Sequence, residues 1–155
     1  EELALRTFRT LAHRPGAASS TVFACQVAIG KMAMRRGDWN EAIAANRICL
    51  KLGKSGDPST LEARYWLGAA LVAAQRQKEA IPELEKVAGA ANVSAELLGL
   101  TWLKLGEAYE LERRWSDASR LYRKMTARPD LKGEDRDTAT ERLHWIDEHV
   151  TRRNP

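Results

Sequence analysis

The residues best suited to binding or catalytic chemistry are a Gly-Lys-Ser triplet, two histidines near the C-terminus and two cysteines. Gly53-Lys54-Ser55 is similar to the end of a phosphate-binding loop, but the first glycine of that motif would fall at residue 48, which is isoleucine. The triplet also follows a predicted helix, whereas a phosphate-binding loop follows a strand. The sequence therefore does not predict a phosphate site here.

The two C-terminal histidines, His144 and His149, are five residues apart. A zinc-protease pair needs a separation of four to place both rings on one helix face. Glu148 does follow His144 by four residues, so a weak metal contact is an alternative to a role in packing or in facing water. The neighbouring carboxylates Asp147 and Glu148 lie on a predicted charged helix surface, which favours solubility over acid–base chemistry. No Gly-x-Ser-x-Gly motif occurs, so the sequence predicts no catalytic residue, metal or cofactor, and no enzyme activity.

Cys25 and Cys49 both fall inside predicted helices. Two buried free thiols are favoured over a disulfide, since free cysteine packs as a small apolar side chain. Neither cysteine has a histidine at a recognisable spacing, although residues distant in sequence can still be close in space.

Composition predicts a globular chain and narrows the class of partner. The 155 residues are 44% hydrophobic and 30% charged, with a net charge of +4. Acidic residues interrupt every basic stretch, so nucleic-acid binding is not indicated. The apolar stretches are far shorter than the ~18 residues of a membrane span, and no signal peptide is visible. The chain begins with glutamate, so we expect a processed or excised piece, and its compartment stays open.

Small residues recur at a fixed interval of 38 residues. Gly30, Gly68 and Gly106 follow this interval, each preceded by an aliphatic residue. Alanines recur in the same phase, twelve residues after each glycine: Ala42, Ala80 and Ala118. Self-similarity of this length indicates stacked helical hairpins, which bury a continuous core by packing on their neighbours. We expect the glycines and alanines to lie where the two helices of a hairpin cross.

Clusters of glycine, proline and serine separate stretches of period-3.6 patterning, and each repeat has one break at its middle. The first helix of each pair, called A, is predicted near 20–35, 60–74, 95–111 and 134–150. The second, called B, is predicted near 2–13, 39–52, 77–89 and 115–127. Two pairs have the spacing of a capping box at a helix start: Ser59 with Glu62 and Asp38 with Glu41.

The repeats resemble the tetratricopeptide repeat family, whose pattern is W-x2-L-G-x2-Y followed by an alanine and an aromatic residue. The third repeat matches this pattern best, with Trp102, Leu105, Gly106, Tyr109, Ala118 and Tyr122. The resemblance implies an all-α fold, an open right-handed solenoid of antiparallel helix pairs with about eight helices. It also implies a non-catalytic scaffold for protein–protein interaction. The interval of 38 residues exceeds the family's roughly 34, so the groove need not keep the family's usual shape.

In this interpretation residues 1–155 form a single repeat domain. It divides into a half repeat with one B helix at 1–16, full repeats at 20–54, 58–92 and 95–130, and a final A-type capping helix at 133–152. The opening B helix has no A partner, so we expect either a cap or a cut from a longer array.

In families of this kind the outer stripe of the A helices lines the concave surface, and here that stripe is unexpectedly apolar. It predicts a groove for an extended or helical, amphipathic peptide with apolar anchors and its acidic end toward the first repeat. Lys31 and Arg35 lie at one end of the stripe, and Glu107, Glu110, Glu141 and Glu148 at the other. The predicted partner-binding residues are Val27, Lys31, Met34, Arg35, Tyr65, Ala69, Val72, Leu100, Leu103, Glu107, Glu110 and Trp145.

The apolar stripe and the tryptophans each have an alternative interpretation. The stripe can be apolar because it is buried within the chain or covered by a flanking helix. Trp39, Trp66, Trp102 and Trp115 are expected to pack between helices, and Trp145 is open to either role. The alternative function is a regulatory or assembly segment of a larger multidomain enzyme or envelope protein, with self-association through the stripe.

Overall fold

A computed structural model describes residues 2–150, and this part of the chain is all-α, with no strand. The predicted all-α fold is confirmed, and the helices begin and end within about two residues of the predicted positions. In chain order, the helices are α1 (Glu2–Ala12), α2 (Ser19–Arg36), α3 (Trp39–Leu52), α4 (Pro58–Ala73), α5 (Gln77–Ala88), α6 (Ala95–Leu111), α7 (Trp115–Thr126) and α8 (Gly133–His149).

The breaks inside the repeats are tight turns with one residue in the left-handed region. Gly37 (φ 72°), Gln75 (φ 59°) and Arg113 (φ 56°) hold these positions. Gly37 donates its backbone N–H to carbonyls of α2 and so closes that helix. The other two turns adopt this conformation without glycine, which carries a steric cost that glycine avoids.

Of the two predicted capping boxes, the first is confirmed only at its N-cap residue, since the Glu41 carboxylate pairs with Arg9 and Arg36, and the second is wrong. The Asp38 side chain accepts the backbone N–H of Glu41 at 3.0 Å and caps α3 as predicted. At α4 the cap is Asp57, which accepts the N–H of Ser59 at 3.2 Å. Proline has no N–H and its fixed φ suits the first helical position, so the helix already begins at Pro58 and Ser59 lies inside it.

The chain divides into two compact units, Glu1–Arg76 with α1 to α4 and Gln77–Pro155 with α5 to α8. Within each unit, helices adjacent in sequence pack against each other. Alternate helices also meet: α2 contacts α4, and α6 contacts α8. The predicted repeat boundaries stay a prediction.

Small residues mark the helix crossings inside both units. A Cβ on Gly30 would lie 3.1 Å from the Asn46 side chain, and one on Gly106 would lie 2.5 Å from the Tyr122 ring. Ala42 and Ala118, on the second helix of these pairs, are fully buried. The expectation that glycine and alanine lie where paired helices cross is confirmed at these two crossings. Overpacking there is costly because the neighbouring side chains are themselves enclosed.

A buried carboxylate joins three helices of the second unit. Glu110 on α6 accepts the Tyr122 hydroxyl of α7 at 2.7 Å. Arg142 on α8 donates its Nε to the same carboxylate at 3.0 Å and also pairs with its other oxygen. Burial, together with the bond to Glu110, holds the pKa of Tyr122 above its usual range. The phenol therefore stays protonated and remains a hydrogen-bond donor.

Candidate functional site

An open groove in the first unit is the best candidate for a partner-binding site. It has a volume of about 340 Å³ and lies between α2 and α4, with α3 beneath. The residues that line it are Phe23, Ala24, Val27, Lys31, Asn46, Ser59, Glu62, Ala63 and Trp66. Most of this surface is apolar, and its polar groups lie at defined places, which is the usual composition of a binding site.

Asn46 of α3 contributes to the groove from a buried position. Its side-chain amide donates to the Ala42 carbonyl at 2.8 Å, one helical turn earlier. The α2 backbone approaches this amide at Gly30, where a Cβ would lie 3.1 Å from Asn46 Nδ2. The absence of a side chain at Gly30 therefore allows the three helices to enclose a groove around this amide.

The aromatic wall of the groove is Trp66 of α4. Its indole Nε1 donates to Glu62 Oε1 at 3.2 Å, one turn earlier on the same helix. The ring also packs edge-on against Tyr65, with ring centroids 5.2 Å apart and planes at 65°. Because these two contacts fix the orientation of the indole, the aromatic surface is already in place for a ligand.

The rim of the groove carries a charged pair. Lys31 Nζ of α2 lies 3.2 Å from Glu62 Oε1 of α4, and the two side chains are 47% and 48% exposed. A pair this exposed contributes little to stability, of the order of 0.2–1 kcal/mol. The pair can therefore reorganise toward the charges of a partner at small cost.

Four of the predicted site residues lie on α2, at or near this groove. Val27 and Lys31 line it. Met34 is half-buried and Arg35 is exposed, further along the same helix.

Four other predicted site residues are buried. Tyr65, Ala69 and Val72 of α4 are 7%, 4% and 3% exposed, and Glu110 of α6 is 9% exposed. The alternative interpretation of the apolar stripe was burial within the chain. These four residues are buried as that alternative describes. Glu110 in addition has its carboxylate occupied by Tyr122 and Arg142. None of the four lines the groove.

The remaining predicted residues lie in the second unit. Leu100 is 41% exposed, Leu103 is half-buried, and Glu107 pairs with Lys104 at 2.6 Å on the surface of α6. Trp145 of α8 is 40% exposed and stacks on His149, with centroids 4.8 Å apart. A separate depression of about 380 Å³ lies between α7 and α8 and is lined in part by Trp115 and Ile146. Leu100, Leu103, Glu107 and Trp145 are not among its lining residues.

The groove also contains Phe23, Asn46, Ser59, Ala63 and Trp66, which were not predicted from the sequence as binding residues. On α4 the groove face follows Ser59, Glu62, Ala63 and Trp66, a spacing of three and four residues. The predicted stripe used Tyr65 instead of Trp66, which is a rotation of about 100° around the helix axis. The spacing was visible in the sequence, but nothing in the sequence selected this face.

None of the histidines and cysteines considered for chemistry lines the groove. His144 Nε2 lies 3.5 Å from Glu148 Oε1, on an exposed surface. No group of three or more metal-binding side chains occurs in this part of the chain. Cys25 and Cys49 are both buried free cysteines. None of the helices described between residues 2 and 150 has the length and apolarity to cross a membrane.

Comparison with known proteins gives one family match. Residues 101–135, from α6 through α7 into α8, match the model of the tetratricopeptide repeat. This segment contains all six residues that carry the pattern of the third repeat, from Trp102 to Tyr122. No curated protein and no solved structure matches the chain.

Proposed function

We propose that this chain, a member of the tetratricopeptide repeat family, is an adaptor that binds a segment of a partner protein in the groove of its first unit. Repeats of this family generally serve as modules of protein–protein interaction, and the family is typically non-catalytic. One observation carries the more specific proposal. An open, mostly apolar groove has a fixed tryptophan on its wall and a loosely held ion pair on its rim.

The size of the groove fits side chains of a peptide. A volume of about 340 Å³ is at the small end of ligand pockets. It suits one large apolar or aromatic side chain, packed against Phe23, Val27 and Trp66. The remainder of a bound segment would then follow the surface between α2 and α4.

The charges near the groove favour an acidic residue beside the apolar anchor. Lys31 is on the rim, and Arg35 is exposed one turn further along α2. A carboxylate of the partner can share the Lys31 ammonium with Glu62, because Lys31 has three donor hydrogens. Glu62 keeps its bond from the Trp66 indole in this arrangement. The proposed ligand is thus a short segment with a large apolar residue flanked by aspartate or glutamate.

The test is selection from a random peptide library displayed on phage, with the folded protein as bait. The expected result is enrichment of an aromatic or leucine residue next to an acidic one. A selected peptide should lose at least tenfold in affinity for Val27→Glu, which places a charge in the groove. It should also bind Lys31→Glu more weakly than wild type. This difference in affinity should become smaller at high salt, because salt screens surface charges.

Lys51→Glu is the matched control for the lysine variant. Lys51 is exposed on α3 and does not line the groove, and its substitution makes the same change in net charge. Helical circular dichroism and thermal melting verify that each variant is folded. Equal affinities of the selected peptides for wild type, Val27→Glu and Lys31→Glu, or no enrichment at all, would reject the groove.

A second candidate function is assembly or regulation within a larger protein, through association of the repeats with a further chain segment or copy. Exposed apolar side chains of the second unit favour it, namely Leu100, Leu111 and Trp145, at 41%, 55% and 40% exposure. Light scattering over a concentration series separates the two functions. A stable dimer that Leu111→Glu converts to monomer would support assembly, and a monomer throughout would support the adaptor.

A further inference from the structure

Asn46 occupies a position that has a large apolar or aromatic side chain in the other repeats. Four residues after the alanine of each repeat, the chain has Phe8, Asn46, Leu84 and Tyr122, at intervals of 38 residues. The pattern of the tetratricopeptide repeat has an aromatic residue at this position. Only the first full repeat has an amide here, so the chemistry of its helix crossing differs from that of the equivalent crossings.

In the second unit the equivalent crossing is filled by side chains. The Tyr122 ring lies over Gly106 and its hydroxyl donates to Glu110 at 2.7 Å. Arg142, which follows Trp66 by two intervals of 38 residues, donates to the same carboxylate. A phenol and a guanidinium therefore meet a carboxylate between α6, α7 and α8.

In the first unit the corresponding place between three helices is open. Asn46 has a shorter side chain than Tyr122 and lies on the floor of the groove, whose volume is about 340 Å³. Trp66, at the position equivalent to Arg142, forms the groove wall. Because a short amide replaces the tyrosine ring, the groove has room for a ring that a partner supplies.

The Asn46 amide can form more hydrogen bonds than the one it makes to its own helix. A side-chain amide has two donor hydrogens and an oxygen that can accept two bonds. The bond from Nδ2 to the Ala42 carbonyl, at 2.8 Å, uses one of these hydrogens. Asn46 is only 3% exposed, so a side chain that fills the groove removes its remaining access to water. A purely apolar side chain would leave the amide incompletely paired, which is unfavourable.

We propose that Asn46 makes the groove specific for a tyrosine of the partner segment, an inference that rests on the proposed function of the groove. The tyrosine ring packs against Phe23, Val27 and Trp66. Its hydroxyl donates to the amide oxygen of Asn46, in the way that a tyrosine hydroxyl donates to a carboxylate at the equivalent crossing of the second unit. Leucine and phenylalanine fit the same apolar walls, but they cannot form this bond and bind more weakly.

Tyrosine also matches the amide better than tryptophan does. A phenol hydroxyl can donate to the amide oxygen and accept from the second Nδ2 hydrogen, whereas an indole N–H can only donate. Lys31 on the rim remains available for an acidic neighbour of the tyrosine. The preferred segment therefore has a tyrosine beside an aspartate or glutamate.

Two fluorescein-labelled peptides that differ by one hydroxyl test this specificity, Ser-Glu-Tyr-Glu-Ser and Ser-Glu-Phe-Glu-Ser. Fluorescence anisotropy with the complete chain measures both affinities. We expect the tyrosine peptide to bind at least tenfold more tightly, because the phenylalanine peptide leaves a buried amide incompletely paired. Since this comparison uses the wild-type protein, it does not depend on the folding of any variant.

Asn46→Leu shows whether the amide causes the preference. Leucine has the same number of side-chain heavy atoms and the same branch point as asparagine, so it removes the hydrogen-bonding groups and keeps the shape. The equivalent position of the next repeat already has a leucine, Leu84, which is fully buried. In this variant the preference for the tyrosine peptide should disappear.

Asn40→Leu is the matched control. Asn40 is exposed on the same helix and does not line the groove, so the variant should keep the wild-type preference for the tyrosine peptide. Thermal melting and helical circular dichroism verify that both variants are folded.

The outcomes distinguish this inference from the proposed function. If both peptides bind wild type equally and Val27→Glu abolishes both interactions, the groove binds an apolar anchor and the specificity for tyrosine is overturned. A tyrosine preference that persists in Asn46→Leu also overturns it, because the amide is then not its cause. Absence of saturable binding by both peptides overturns the inference as well, and the phage selection then decides separately whether the groove binds any segment.

Discussion

Tyr122 donates its hydroxyl hydrogen to Glu110 over 2.7 Å, and the ring that carries this hydroxyl lies directly over Gly106. Two features therefore allow α6 and α7 to pack closely. A glycine makes room for the tyrosine ring, and a buried carboxylate orients it. Because Glu110 also binds Arg142 of α8, the same contact joins three successive helices. In this unit Tyr122 belongs both to the repeat pattern, through its contact with Gly106, and to the polar network of Glu110 and Arg142.

Gly106→Ala should destabilise the second unit. The new Cβ would lie 2.5 Å from the ring of Tyr122, which is 2% exposed and has no room to move. Alanine gains about 1 kcal/mol in helix propensity, but overpacking of this kind costs roughly 1–3 kcal/mol. We expect a net loss in the free energy of unfolding measured by urea denaturation. Gly133→Ala is the control, since a Cβ there meets nothing within 4 Å, and a loss no greater than in this control would contradict the crossing geometry.

Ala118→Leu tests the same crossing from α7. Ala118 is fully buried, so three additional carbon atoms have no space, and we expect a loss of roughly 1–3 kcal/mol in stability. Ala44→Leu makes the same change at an exposed position of α3 and should be nearly neutral. Thermal melting of the two variants beside wild type gives the comparison. Equal melting temperatures for all three would mean that Ala118 is not at a helix crossing.

The sequence predicts the helices well because local chemistry and the long-range repeat indicate the same boundaries. Asp38 caps α3 as expected, and Gly37 lies in the turn that closes α2. The sequence predicts the start of α4 two residues late, at residue 60, because both Asp57 and Ser59 are good caps and the structure uses the first. A proline between two candidate caps belongs to the first turn, and this favours the earlier cap.

The candidate site was predicted less completely, for a reason visible in α4. Ten of its sixteen residues are buried, so its apolar pattern extends around the helix and does not select one face. Periodicity therefore gave Tyr65 as a groove residue where the structure has Trp66. Glu110 shows a different limit. A carboxylate is expected at the surface, and only the positions of Tyr122 and Arg142 show that this one is buried and compensated.

Arg142→Gln should destabilise the second unit by more than its exposed position suggests. Its guanidinium compensates Glu110, which is 9% exposed. Removal of one partner from a buried charged group costs about 1–3 kcal/mol. Arg120→Gln is the control, because Arg120 is 80% exposed in its pair with Asp117 and such a pair contributes less than about 1 kcal/mol. Urea unfolding at neutral pH measures both, and equal losses would show that Glu110 does not depend on Arg142.

Asp135→Asn should make the chain more stable at neutral pH than wild type. Asp135 is 8% exposed and packs against the Gly99 backbone, and burial raises its pKa although Lys132 acts in the opposite direction. A raised pKa in the folded state favours the protonated carboxyl. The stabilising contribution of the protonated Asp135 carboxyl is complete below its ordinary pKa of 3.8. This contribution is lost as the pH rises through the folded-state pKa.

The advantage of the Asp135→Asn variant should therefore grow as the pH is raised from about 3 to 7, measured by urea unfolding at each pH. Asp137→Asn makes the same change at an exposed position of the same helix and is the matched control. Identical pH profiles for the two variants would show that burial of Asp135 has no effect on its ionisation.

Cys49 should be unreactive toward a thiol reagent until α2 and α3 separate. It is fully buried, it donates its S–H toward the Phe23 carbonyl at 3.7 Å, and burial raises the pKa of its thiol to about 11. Thiolate is the reactive form, so the raised pKa lowers the thiolate population at pH 8, and enclosure slows the reaction further. In a Cys25→Ala background, Ellman's reagent should react with Cys49 slowly in buffer and rapidly in urea. If the two rates were equal, Cys49 would not be enclosed between these helices.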